Sequence, residues 1–510
     1  MVTSDPLRRV RLHGYSPWTP ERLASHASAG RDLAELPGDF VVTWEEQKEG
    51  SMVQCLASSA LSALPYFHAL SADGQSWHHG ASVFDCVRSA GRSWTWNDSA
   101  VMSVALLGHT VGEETLDDNV MRVPPLTQMR FSQGKLKTDS SAFWRCRPSG
   151  NTESNPVGAM ITTLKEVMQE MSAGRETCVS LSAGYDSRLL LATLLKLGHR
   201  PDLATMGSRD STDVVVASKI AADSGLPHRR VDLEPQDYLR HAREIVSLTG
   251  GSKTADHWHT YLLAKAAGFS GKAIHWAGSN GEFMRSYYFD KGILAGVSKW
   301  LPWPLAVWFM SLKNSPARRL PVPEARGILA SRPLARSVLR GLARHLKHKR
   351  GWLNSLDQFY ATQRVRHFIG NGLALYSGFN TTCSPFLDQR FLRAASSLPR
   401  HWKLNSRMHR ALIKSLEPRL LDFPVAEDGI SMKHLERSAY WMRSPAVKGY
   451  SVFKAVFTQG DGRDILADSP HLDRFLNREA RLWVVDQGKG GIAGTLLSLH
   501  YAAALAAGSA

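Results

Sequence analysis

Between an apolar run and a row of leucines at helical spacing, the stretch CVSLSAGYDSRLLLATLLKLG, Cys178 to Gly198, places two hydroxyls, two small residues and a carboxylate. A strand that turns this tightly into a helix gathers unpaired backbone N–H groups and the positive end of the helix dipole at one point. Such a point suits an anion. Ala183 and Gly184 let the backbone approach an anion closely, Ser182 and Ser187 supply hydroxyls, and Asp186 is placed to hold a Mg²⁺ that bridges phosphate oxygens. Spacing alone leaves a second reading open, in which Ser182 caps a helix and nothing is bound.

Four motifs in order carry a resemblance. The segment SLSAGYDSRLL, Ser180 to Leu190, resembles the S-G-G-x-D-S loop of the ATP pyrophosphatases, and most closely that of the asparagine synthetase family, with Ala183 where Gly is usual. Asp202 to Leu233 follows where that family's next strand and helix contact adenine and ribose. The resemblance implies a base pocket lined by Leu181 and Met206, with Gly207 beside it. WAGSNGEFMRSYY, Trp276 to Tyr288, is similar to the second phosphate motif, S-G-x-G-G-D-E. It implies Gly278, Ser279, Asn280 and Gly281 at the phosphates, with Tyr185 in the first loop, and Glu282 in place of the acidic metal ligand. Ser384 to Leu404 resembles the R-x-P-F-L-D segment with the helix and Lys after it. The implied cofactors are ATP and Mg²⁺, the metal held by Asp186 and Glu282.

The N-terminal part agrees. LPGDFVVTW, ALPYFHAL and GEETLDDNVMRVPP look like the glutaminase domain of asparagine synthetase. That chemistry needs a cysteine at position 2, its thiolate attacking glutamine with the free α-amine as base, and here the residue is Val2. The family's Arg-Asp is also missing, with Ser58 and Ser59 near that place. A scaffold without glutamine hydrolysis is the expectation. The resemblance then implies adenylation of a substrate carboxylate, loss of pyrophosphate, and attack by an amine that the substrate or a second molecule supplies. β-Lactam synthetases and lasso-peptide macrolactam cyclases work in this way. Thr381 and Cys383 replace the Glu and Arg often found before P-F-L-D, and Lys433 is the candidate for the lysine that neutralises the intermediate. A catalytically reduced nucleotide-binding partner protein, and a tRNA-modifying pyrophosphate-loop enzyme, are the alternatives.

The elements that must position these residues follow from pattern. With 510 residues, 43% hydrophobic and 21% charged, the chain is globular and long enough for two domains. FVVTWEE, SMVQCLA, LPYFHAL and SWTWND read as short strands between turn signals. From Pro156 onward helical and strand patterns alternate, which predicts a parallel sheet covered on both faces. The expected fold is α/β. Joined to the resemblance, this implies that residues 1–150 form a degenerate Ntn-amidotransferase-like, β-rich domain, and residues 151–510 an adenine nucleotide alpha hydrolase-like (PP-loop) domain with a helical C-terminal half. The polar segment Arg147 to Pro156 links them.

Charge and cysteines bound the setting. Lys and Arg number 62 against 46 Asp and Glu, giving +16, which favours an anionic partner or simply solubility. Arg336, Arg340, Arg344 and His348 recur every fourth residue along one side of a helix. That side reads first as a solvated face, and second as a dock for an acidic peptide, carrier or phosphorylated substrate. No RNA-recognition pattern accompanies it. Five scattered cysteines without C-x-x-C argue against a disulfide framework and for a cytoplasmic setting, and the start carries no secretory h-region. Ile293 to Leu312 and Gly491 to Ala507 are expected as packed helices rather than membrane spans. TGGSKT, Thr249 to Thr254, imitates a P-loop without its glycines. WVVDQGKGGIA, Trp483 to Ala493, imitates a dinucleotide turn after a strand-like run. DHWHT is read as a helix start capped by Asp256.

Overall fold

The computed structural model describes residues 7–48, 50–141, 155–285, 287–288, 324–345, 352–424 and 451–508. Its N-terminal region is antiparallel. The strands are β1 (Arg8–Tyr15), β2 (Asp39–Lys48), β3 (Ser51–Ser58), β4 (Phe67–Leu70), β5 (Trp77–Gly80), β6 (Met121–Arg122), β7 (Thr127–Ser132) and β8 (Lys135–Ser140). They form one sheet in the order β1-β2-β3-β7-β8 and a smaller one in the order β5-β4-β6. Helices α1 (Pro20–Ser28), α2 (Val83–Ser89) and α3 (Asp98–Leu107) accompany them.

Strand β2 shows why this sheet is held. Side chains alternate across a strand. Phe40, Val42 and Trp44 enter a large core shared with the C-terminal region, while Val41 joins Leu56, Trp77, Val123, Met129 and Phe131 on the other face. Both faces are therefore dry.

From α4 (Pro156–Ser172) onward the chain alternates as expected. Strand β9 (Thr177–Ser180) leads into α5 (Tyr185–Lys196), β10 (Asp202–Met206) into α6 (Thr212–Ser224), and β11 (His228–Val231), β12 (Ile274–Trp276) and β13 (Thr381–Cys383) complete the sheet. Every pairing in it is parallel, in the order β11-β10-β9-β12-β13. The chain works outward from β9 to one edge and then returns to β12 on the other side. In open α/β sheets ligands bind at that reversal, outside the carboxyl ends of the strands. Trp276 lies level with Val179, so the loops after β9 and β12 leave the sheet side by side.

Several expectations are corrected. SWTWND is not a strand: Trp96 makes a single bridge to Asp117, and Asn97 caps α3. Trp94 stacks on Phe84 and Trp96 meets Phe475 edge-on, so the alternating tryptophans reflect aromatic packing. Helix α5 begins at Tyr185, so the tight turn before it spans only Leu181 to Gly184. WVVDQGKGGIA lies in two helices, Arg478–Asp486 and Gly490–Ala506, with no strand. Asp256 sits inside a 3-10 turn, Ala255–His257, and does not cap the helix His259–Ala267. TGGSKT is a helix end: Gly250 and Gly251 are left-handed after Ala242–Thr249. No helix among the described residues is long and apolar enough to cross a membrane. The 150/151 boundary, Ile293 to Leu312, Lys433 and His348 lie outside the described residues.

Candidate active site

The loop after β9 is built as its residue types require. Ser182 N–H donates to the Ser187 hydroxyl (3.0 Å), Gly184 N–H to the Ser182 hydroxyl (3.2 Å), and Ala183 N–H to the Asp213 carboxylate (2.8 Å). The first helical turn of α5 has no side-chain cap at Gly184. Its leading N–H groups thus keep the polarity an anion needs. Burial sorts the loop residues. Leu181, Ala183, Tyr185 and Ser187 are buried, while Ser182, Gly184 and Asp186 are partly open. Leu181 belongs to the hydrophobic core, so contact with a ligand there falls to its backbone.

The loop after β12 closes directly onto this turn. Asn280 adopts a left-handed conformation (φ 75°), as asparagine tolerates, and its amide donates to the Phe386 carbonyl (2.7 Å). Gly278 backs onto Ser187 N, and any side chain at Gly281 would overlap the Asp186 carboxylate. Glycine at 281 is required by that approach, whatever its dihedral angles. Asp186 and Glu282 therefore stand on two loops in contact, at the sheet reversal. Met206 ends the neighbouring β10 and Gly207 follows it, both partly exposed, and Ser279 lies just before Glu282 in the segment after β12.

Residues that sequence reasoning missed complete the site. His409, on the helix Arg407–Leu416, lies 2.7 Å through Nε2 from Asp186 Oδ1. Tyr360 opens a π-helix, Tyr360–Ile369, and its hydroxyl donates to Glu282 Oε2 (2.8 Å). The π-helix is rare and frequent at functional sites. Arg188 is buried and donates to the carbonyls of Ala183, Leu420, Phe423 and Pro424, tying the loop to distant chain. By contrast Lys403, the lysine that the P-F-L-D resemblance includes, is buried against Asp357 at 3.1 Å.

The P-F-L-D segment itself is a clasp. Tyr15 donates to the Ser384 carbonyl (2.6 Å) and accepts from Ser384 N–H (3.1 Å); Asp388 accepts from Gly38 N–H (3.1 Å) and caps the helix Gln389–Ser397. Cys383 is fully buried on β13 and Thr381 partly buried. The N-terminal region so grips the end of the last parallel strand.

A parallel sheet whose two contacting segments offer carboxylates and helical N–H groups at the reversal has the ligand-binding geometry of an open α/β protein. The family profile described as Asparagine synthase matches residues 162–427, just over half of the chain, and the chain belongs to that family. Its members use ATP to drive amide ligation. No curated protein matches the chain.

Proposed function

We propose that the protein is an AMP-forming amide ligase that adenylates a substrate carboxylate without glutamine hydrolysis and serves peptide macrolactam or specialised-metabolite biosynthesis in the cytoplasm. The observation that carries the reading is the contact between the Asp186 and Glu282 loops at the reversal of the parallel sheet. The residues present suit a hard cation: two carboxylates, with Asp186 Oδ1 occupied by His409 and its second oxygen without a described partner. Asp186 and Glu282 would hold Mg²⁺, which when bound neutralises charge on the departing pyrophosphate. Ser182, Gly184 and the leading N–H groups of α5 orient the phosphates. Tyr360 fixes the Glu282 carboxylate, and His409 that of Asp186.

Independence from glutamine has its own support. Cys55, Cys86, Cys178 and Cys383 are buried and free, and burial pushes each thiol up, those of Cys55 and Cys86 to about 12. None of these four offers a thiolate near neutral pH. The N-terminal region is then a degenerate amidotransferase-like scaffold. On the helix Arg332–His345, Arg332, Arg336, Arg340 and Arg344 are exposed on a helix without Asp or Glu, which suits an acidic peptide or carrier as partner.

A second reading, a nucleotide-binding protein without ligation, is favoured by one observation. Asp213 takes the Ala183 N–H that a phosphate would use. Carboxylate-dependent exchange of labelled pyrophosphate into ATP separates the two. Exchange supports the ligase; ATP binding without exchange supports the second.

A further inference from the structure

Next to the candidate site, three nitrogen-bearing side chains converge on one phenyl ring. The Arg364 guanidinium lies 4.2 Å from the centroid of Phe368 and the Lys253 ammonium 3.6 Å from it, while His257 meets the ring edge-on at 4.8 Å. Lys253 is buried and donates to the Phe368 carbonyl (2.9 Å). Arg364 also lies 5.0 Å from the Tyr287 ring. Among the described residues no carboxylate forms an ion pair with Arg364 or Lys253, and Arg364 Nε is buried without a hydrogen-bond partner. The Asp256 carboxylate lies 3.4 Å from His257, and its charge partly offsets the lowering of Lys253. Burial together with the nearby Arg364 charge lowers Lys253 to about 7. Buried charges are ordinarily paired, and two cations held close without a direct ion-pair partner are costly.

The placement links this cluster to the chemistry. Arg364 follows Tyr360 by four residues on the π-helix, and the Tyr287 ring stacks on Tyr360 (4.8 Å) as well as facing Arg364. Tyr360 in turn holds Glu282. Aromatic rings cover a guanidinium by its faces and leave its N–H edge for a planar oxyanion, which arginine binds bidentately.

We propose that Arg364, backed by Lys253, is an oxyanion subsite that takes a carboxylate or phosphate group of a ligand bound beside Glu282. The proposal deepens the ligase reading and rests on it for the identity of the ligand, because the group belongs either to the nucleotide's terminal phosphate or to a second carboxylate of the substrate. The test titrates the full chain with succinate, inorganic phosphate, AMP and ATP, each alone, reading affinity by calorimetry and stabilisation by thermal unfolding. Wild type binds succinate or phosphate saturably. Arg364→Gln weakens the responsible probe at least tenfold, and Arg364→Lys recovers part of the loss. Weakened ATP and phosphate binding with AMP unchanged identifies the nucleotide tail; weakened succinate binding with ATP unchanged identifies a substrate carboxylate. If Arg364→Gln melts lower yet binds every probe as wild type does, or if wild type binds neither succinate nor phosphate nor ATP, the subsite is refuted. Because succinate and phosphate are titrated without nucleotide, loss of ATP binding by wild type alone would count against the ligase reading and not against the subsite.

Discussion

The two regions use similar short apolar strands to opposite ends. In the antiparallel sheets short turns join β2 to β3, β4 to β5 and β7 to β8, and a buried polar group is answered from within. Asp39 is fully buried and accepts from Ala63 N–H, Leu64 N–H and the Ser59 hydroxyl. In the parallel sheet β9, β10, β12 and β13 point their carboxyl ends the same way, and the loops there leave Asp186 and Glu282 half-open. A carboxylate with satisfied oxygens stabilises a fold. One with an open oxygen is available to a ligand.

The sharpest way to break this contrast is to remove one carboxylate from each side. Asp186→Ala is expected to lower AMP formation at least about 10³-fold, with only a modest fall in melting temperature as buried His409 loses its partner. Retained activity in a steady-state AMP assay would contradict the site. Asp39→Ala should do the reverse: three buried donors lose their acceptor, at about 1–3 kcal/mol for each group left unsatisfied, read as a lower urea midpoint. An unchanged midpoint would show that the N-terminal region does not depend on its internal pairing.

A third test uses pH. Burial lowers His109 in the N-terminal region and His275 on β12 to about 3 each, from an ordinary 6.5. Between those values the unfolded chain binds more protons than the folded one, so stability falls as pH drops from 6.5 toward 3 and is unaffected by these groups above 7. The slope is about 1.4 kcal/mol per pH unit per histidine. Urea midpoints between pH 7 and 4.5 should fall accordingly, and His275→Asn should flatten the fall. The smallest expected effect on turnover is His409→Ala, which frees Asp186 Oδ1 and should reduce turnover about tenfold, while the cavity left by this fully buried side chain lowers the urea midpoint. A loss as large as that of Asp186→Ala would mean that His409 touches the reacting groups.

How much of this was legible follows from sequence distance. The β9–α5 turn announces itself, because an apolar run, small polar residues and helical leucines stand consecutively. The parallel sheet follows from the same alternation. Asp213 was in view but carried no signal that its carboxylate would close on Ala183. His409 and Tyr360 were not legible, since each meets its carboxylate across 223 and 78 residues of chain and each reads locally as part of an amphipathic helix. The Trp94 and Trp96 spacing misled for a related reason: their partners, Phe84 and Phe475, are set by tertiary packing.

One consequence concerns how the molecule can be cut. Phe40, Val42 and Trp44 share their interior with Leu164, Leu189 and Phe386, and Tyr15 clasps Ser384. A gene trimmed to the stretch that matches the family would strip these aliphatic and aromatic surfaces bare and leave the last strand's exit unheld. The N-terminal part is the wall against which the family-matched region is set.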